Sequence, residues 1–133
     1  MTNNVLICYG TRYGTTTEVV QEMSNTARQL GAQVEVVHLE KGIPYPNPED
    51  YDLVIIGSGI QAGQWTKRPV KFIEENLDAL SKTKTALFVV SGYAGNPEKV
   101  AEAQADYLDA MSEKYPELSP ISTALIGGMF EFK

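Results

Sequence analysis

One cysteine (Cys8), one histidine (His38) and one tryptophan (Trp65) occur among 133 residues. A single cysteine excludes a disulfide framework. One thiol, one imidazole and carboxylates scattered along amphipathic segments make no metal-ligand set at a familiar spacing, so no metal is expected. Basic residues are in the minority, 11 Lys and Arg against 17 Asp and Glu, for a formal net charge of -6. Nucleic acid and anionic membrane both ask for a basic face, so neither is expected as a partner; basic proteins are. No apolar run approaches membrane-spanning length. Met1-Thr2-Asn3-Asn4 lacks the basic region and apolar core of a signal peptide, which makes the cytoplasm the default compartment.

What is present is 43% hydrophobic residues, spread along the chain without repeats or low-complexity tracts. That composition suits one globular domain over residues 1–133, large enough for a proper core. Val5-Leu6-Ile7-Cys8-Tyr9 is a continuous apolar run of strand length, as expected in a parallel sheet covered on both faces. It empties into Gly10-Thr11-Arg12-Tyr13-Gly14-Thr15-Thr16-Thr17. Val19, Val20, Met23, Ala27 and Leu30 then recur at helical spacing up to Gly31, and Thr15 with Glu18 has the form of a capping box. A buried strand, a loop of glycine and threonine and a helix start make an anion site, because helix-start N–H groups and hydroxyls converge there. This loop lacks G-x-G-x-x-G and the Gly-Lys-Ser/Thr ending of a nucleotide loop, so nicotinamide binding and ATP hydrolysis lose ground. A terminal phosphate suits it better.

Val34 to Leu39 is a second, wetter strand, where His38 reads as a surface residue rather than a catalytic one. Pro44, Pro46 and Pro48 make residues 40–52 a loop. Leu53 to Ile56 is a buried strand that runs into a second glycine loop, residues 57–65. Thr66 is positioned to cap the next helix, with Val70, Ile73, Leu77 and Leu80 as its buried stripe. Ala86 to Val90 is a third buried strand, entering the loop Ser91-Gly92-Tyr93-Ala94-Gly95-Asn96. Pro97 opens a helix with Val100, Ala103, Tyr107, Leu108 and Met111 inward. Residues 112–120 connect, and Ile121 to Ile126 is the last strand.

Strands alternating with helices predict an α/β fold, a doubly wound parallel sheet of five strands. Such a sheet normally carries a helix after its last strand. The chain stops before one forms, so the C-terminal helix is expected to be missing and part of a sheet face exposed. A trimmed longer chain is the favoured explanation; a covering partner and self-association are the others. Ligands of such sheets bind beyond the carboxyl ends of the strands, where loops 10–17, 57–65 and 91–96 should meet. Trp65 and Tyr93, each among glycines that admit close backbone approach, suit the two sides of a flat aromatic ring.

These residues resemble the flavodoxin-like FMN-binding proteins. Thr11, Gly14 and Thr16 match the pattern T/S-x-T-G-x-T, which differs here at Tyr13. The resemblance is nearer still to the flavodoxin-like group that includes the menaquinone-dependent protoporphyrinogen oxidases, through Thr11-Arg12-x-Gly14-x-Thr16 and Gly57-x-x-Ile60-x-x-Gly63. The resemblance, rather than the spacing, implies strand order 2-1-3-4-5 with FMN at the switch point. It implies that Thr11, Arg12, Tyr13, Gly14, Thr15 and Thr16 hold the phosphate. Ser58, Gly59, Ile60, Gln61, Ala62 and Gly63 then border flavin N5. Trp65 and Tyr93 flank the ring, with Ser91, Gly92 and Gly95 around Tyr93. Arg12 reads equally well as a solvated surface charge.

Two functional classes follow. In the first, bound FMN carries electrons to a redox protein partner. In the second, FMN takes electrons from an organic substrate of the protoporphyrinogen type and passes them to a quinone. No acid or base with a catalytic look lies in the three loops, which favours the carrier. A non-redox module that binds a phosphate ligand is a third, weaker class.

Overall fold

The computed structural model describes residues 4–10, 15–40, 44–61, 64–91 and 104–127. Strand β1 (Asn4–Gly10) leads to helix α1 (Thr15–Gln29), then to β2 (Gln33–His38). A short 3-10 turn at Pro48–Asp50 precedes β3 (Leu53–Gln61), which folds back on the two-residue β4 (Gln64–Trp65). Helices α2 (Lys67–Glu75) and α3 (Leu77–Ser81) lead to β5 (Lys84–Ser91). A π-helical turn at Gln104–Asp109 runs into α4 (Ala110–Lys114), a second 3-10 turn at Pro116–Leu118, and β6 (Ser122–Gly127).

The five long strands are parallel and ordered β2-β1-β3-β5-β6, the expected 2-1-3-4-5 when counted along the chain. β4 is an addition to that frame, pairing antiparallel with the end of β3. Period-2 alternation divides the apolar residues between two faces. On one, Leu6, Cys8, Val54, Ile56, Leu87 and Val89 meet Phe72, Ile73 and Leu80, together with Tyr107, Leu108, Tyr115 and Leu118. On the other, Val5, Ile7, Tyr9, Phe88 and Val90 meet Val19 and Val20 of α1. Each such side chain contributes about 1.5–3 kcal/mol by leaving water. The β1 run reads as continuous because it is buried on both faces.

Two local readings change. Residues 57–61, expected as loop, continue β3: Gly57 pairs with Phe88, Ser58 with Val89 and Gly59 with Val90. Gly57 is tolerated in the strand because the Phe88 ring occupies the space its side chain would need. The stripe Val70, Ile73, Leu77, Leu80 belongs to two helices. Asn76 leaves helical geometry between them, at φ -124 and ψ 20, and its amide Nδ2 donates to the Phe72 carbonyl at 2.9 Å. A side-chain amide that competes for a helical carbonyl breaks the run.

On the α1 side of β6, Ser122 and Ala124 are exposed beside half-buried Ala86. Among the described residues, the exposed large apolar side chains are Leu30, Val36 and Ile121, at separate places. Residues 128–133, the end at which a closing helix is expected to be missing, lie outside the described residues.

Candidate functional site at the carboxyl ends of the strands

The ladder sets the carboxyl ends level. Gly10 lies beside Ser58, Ser58 beside Val89, and Gly59 beside Val90. The described carboxyl ends of β1, β3 and β5 therefore lie at one end of the sheet. Thr11, Arg12, Tyr13 and Gly14 lie outside the described residues, as do Ala62, Gly63, Gly92, Tyr93 and Gly95. Thr15 and Thr16 open the 15-residue α1, whose first turn meets the end of β1 where Thr17 Oγ1 lies near the Tyr9 hydroxyl. Helix geometry gives first-turn N–H groups no acceptor of their own, and the macrodipole makes them attractive to an anion. Ile60 and Gln61 lie in β3, paired with Trp65 and Gln64 of the hairpin. Ser91 ends β5.

Gly10 and Ser58 build this end of the sheet from within. At Gly10, an added Cβ would collide with the Thr66 hydroxyl and the Pro69 ring, so glycine lets the start of α2 pack against the end of β1. Ser58 is fully buried. Its Oγ donates to the Gly59 carbonyl (2.7 Å), accepts the Thr66 N–H (2.9 Å) and lies 2.8 Å from Thr66 Oγ1. The Ser58 hydroxyl is thus spent on the start of α2, and what the residue offers a ligand is backbone. Thr66 stands at the helix N-cap as expected, but its hydroxyl bonds to Ser58 instead of capping.

Trp65 is half-buried against the core beneath α2, and its indole N–H donates to the Tyr107 carbonyl at 2.9 Å. A π-helical turn shifts the helical hydrogen-bond register, and the Tyr107 carbonyl lies within it. The hairpin is thereby joined to the helix that follows β5. A second aromatic contact was not foreseen. Tyr9, 5% exposed, stacks on His38 with centroids 4.8 Å apart and planes 8° apart. The Tyr9 hydroxyl lies 3.3 Å from Thr17 Oγ1, in the first turn of α1. His38 Nδ1 is 3.2 Å from Glu40 Oε1.

Groups with displaced acid–base behaviour lie elsewhere. Burial, reinforced by Glu35, pushes the Cys8 thiol up, so it stays protonated and unreactive. Burial and a hydrogen bond to Glu35 push Tyr51 up to about 12. Tyr115 also rises to about 12, through burial and its 2.6 Å bond to Glu74. A shallow cavity of about 330 Å³, lined by Asn4, Gln33, Val34, Glu35 and Tyr51, lies at the amino ends of β1 and β2. Among the described residues no cluster of His, Cys, Asp and Glu forms a metal site. Nor is any helix there long and apolar enough to cross a membrane.

Residues 6–131 match the family model of the flavodoxin domain. The chain belongs to the flavodoxin domain family. It is 31% identical over 94 residues to protoporphyrinogen IX dehydrogenase [quinone] of Escherichia coli (strain K12), a match covering 71% of this chain. The chain spans about half the length of that relative, 51%. Its fold is that of the two-electron reduced flavodoxin from Megasphaera elsdenii, with a TM-score of 0.71 at 21% identity over 94% of this chain and 87% of the other. A flavoprotein from Lactobacillus acidophilus, solved in complex with FMN, superimposes with a TM-score of 0.63 at 19% identity, over 92% of this chain and 93% of that one. The strand order agrees with the one that the resemblance implied.

Proposed function

We propose that this flavodoxin domain, taken as one unit over residues 1–133, holds FMN across the carboxyl edge of its sheet and passes electrons to a redox partner. The observation that carries the reading is the level register of Gly10, Ser58 and Gly59 with Val89 and Val90 beside the start of α1. The residues fit the group. First-turn N–H groups with Thr15 and Thr16, together with Thr11, Arg12, Tyr13 and Gly14, are donors for a phosphate. Backbone from Ser58 to Gly63 and from Ser91 to Gly95, with Trp65 and Tyr93, suits a flat ring. Bound FMN supplies the redox chemistry. The chain's own part is to hold the phosphate and flank the ring; the net charge of -6 disfavours a further negative charge at the site.

The E. coli relative favours a second reading, oxidation of a protoporphyrinogen-type substrate with a quinone as acceptor. Purified protein is expected to be yellow or to take up FMN on titration; a colourless protein indifferent to FMN overturns both redox readings. Assay of the FMN-loaded protein with protoporphyrinogen and a menaquinone analogue then separates them. Turnover would favour the oxidase, and inactivity with reversible reduction would favour the carrier.

A further inference from the structure

The structure assigns Tyr9 as the positioning residue of the phosphate grip, an inference that rests on the FMN reading. Tyr9 points to the α1 side of the sheet, and its ring is held in place by two neighbours. The core of that face surrounds it, and the His38 ring lies parallel at 4.8 Å. His38 is its register partner on β2, so strand pairing itself brings the two rings together. His38 is in turn held by Glu40 at 3.2 Å. The phenol oxygen is therefore a fixed point near the end of β1, and the first turn of α1 is attached to it through Thr17 Oγ1 at 3.3 Å.

Gly10 and the first turn of α1 stand on either side of the proposed grip, and each is set from outside. Gly10 is packed beneath Thr66 and Pro69. Thr17 is tied to Tyr9. Amide donors act on an anion only while they are aimed at one point, and a first turn free to slide against β1 would lose that aim. The Tyr9–Thr17 contact therefore acts on the phosphate half of the ligand and leaves the ring half untouched.

FMN and riboflavin titrations of the full chain test this, because riboflavin lacks the phosphate. Tyr9→Phe keeps the ring and its stack but removes the hydroxyl. Thr17→Val removes the other half of the contact, while Thr17→Ser keeps it. Tyr9→Phe and Thr17→Val are each expected to weaken FMN about fivefold, as one lost hydrogen bond would, with riboflavin unchanged. The double variant should lose no more than either single one, and Thr17→Ser should retain the parent's preference for FMN. If the parent prefers FMN and Tyr9→Phe keeps that preference, or loses both ligands equally, the inference is overturned while the FMN reading stands. Additive losses in the double variant overturn it also. A parent that does not discriminate FMN from riboflavin overturns the phosphate grip and the inference together.

Discussion

The two ends of the sheet treat polar groups in opposite ways. At the amino end they answer one another: the Asn4 N–H donates to Asp52 Oδ2 at 2.8 Å, and the Tyr51 hydroxyl bonds to Glu35 beside the shallow cavity. At the carboxyl end, side-chain polar groups are spent on placing neighbouring elements. Ser58 fixes Thr66 and the Gly59 carbonyl, Tyr9 holds Thr17, and Trp65 takes the Tyr107 carbonyl. The first end satisfies itself and needs no ligand. The second brings a helix start and a hairpin to one end of the sheet, the arrangement that the proposed FMN site requires.

The comparison breaks most severely at Gly10. Gly10→Val forces atoms into the Thr66 hydroxyl and Pro69 ring, and overpacking of this kind costs about 1–3 kcal/mol. We expect a lower midpoint in urea and FMN affinity reduced beyond measurement. A variant that folds and binds FMN like the parent would show that the close approach of α2 to β1 does not shape the site.

Trp65→Phe is the next largest. It keeps an aromatic ring on the hairpin but removes the 2.9 Å bond to the Tyr107 carbonyl, costing about 1 kcal/mol of stability. Because the proposed role of Trp65 is at the ring, FMN and riboflavin should weaken alike. Selective loss of FMN would move Trp65 to the phosphate side and blur the division of labour.

Much of this was legible beforehand, for reasons that can be named. Val5 to Tyr9 and Leu53 to Ile56 are apolar without interruption because both faces of the sheet are covered; alternation with helices announced the parallel sheet, and the resemblance supplied the strand order. The continuation of β3 through Gly57 was hidden, since its warrant is the Phe88 ring on a neighbouring strand. The break at Asn76 was hidden by an apolar stripe that stays in phase across it. Tyr9 and His38 are partners only through register, so single-strand reading left one as core and the other as surface. Of the candidate site, Ser58, Gly59 and Trp65 can be placed by their contacts. Thr11 to Gly14 and Tyr93 rest on the sequence and the resemblance.

The smallest effects belong to the amino end and separate stability from binding. Tyr51 and Tyr115 both titrate near 12 in the folded protein, against 10 for an unperturbed tyrosine. The folded state therefore holds these protons more tightly than the unfolded chain. Their contribution is fully present below about pH 10 and is lost as pH rises toward 12. Urea denaturation of the parent across that window should show falling stability, and Tyr115→Phe, which removes one titrating group from the core, should flatten the fall. An unchanged slope would mean that Tyr115 ionises equally in both states.

Tyr51→Phe gives the finest test of the contrast. Its hydroxyl bonds to an exposed carboxylate, Glu35, so at neutral pH the change should cost about 0.5 kcal/mol or less. Tyr51 stands just before β3, whose opposite end carries Ser58 and Gly59, so β3 runs directly between them. If the amino end is self-contained, Tyr51→Phe leaves FMN and riboflavin affinity at the parent's values while still reducing the pH dependence above 10. A loss of flavin affinity comparable to that of Trp65→Phe would mean that β3 transmits strain along its length, and the two ends would have to be treated as one device.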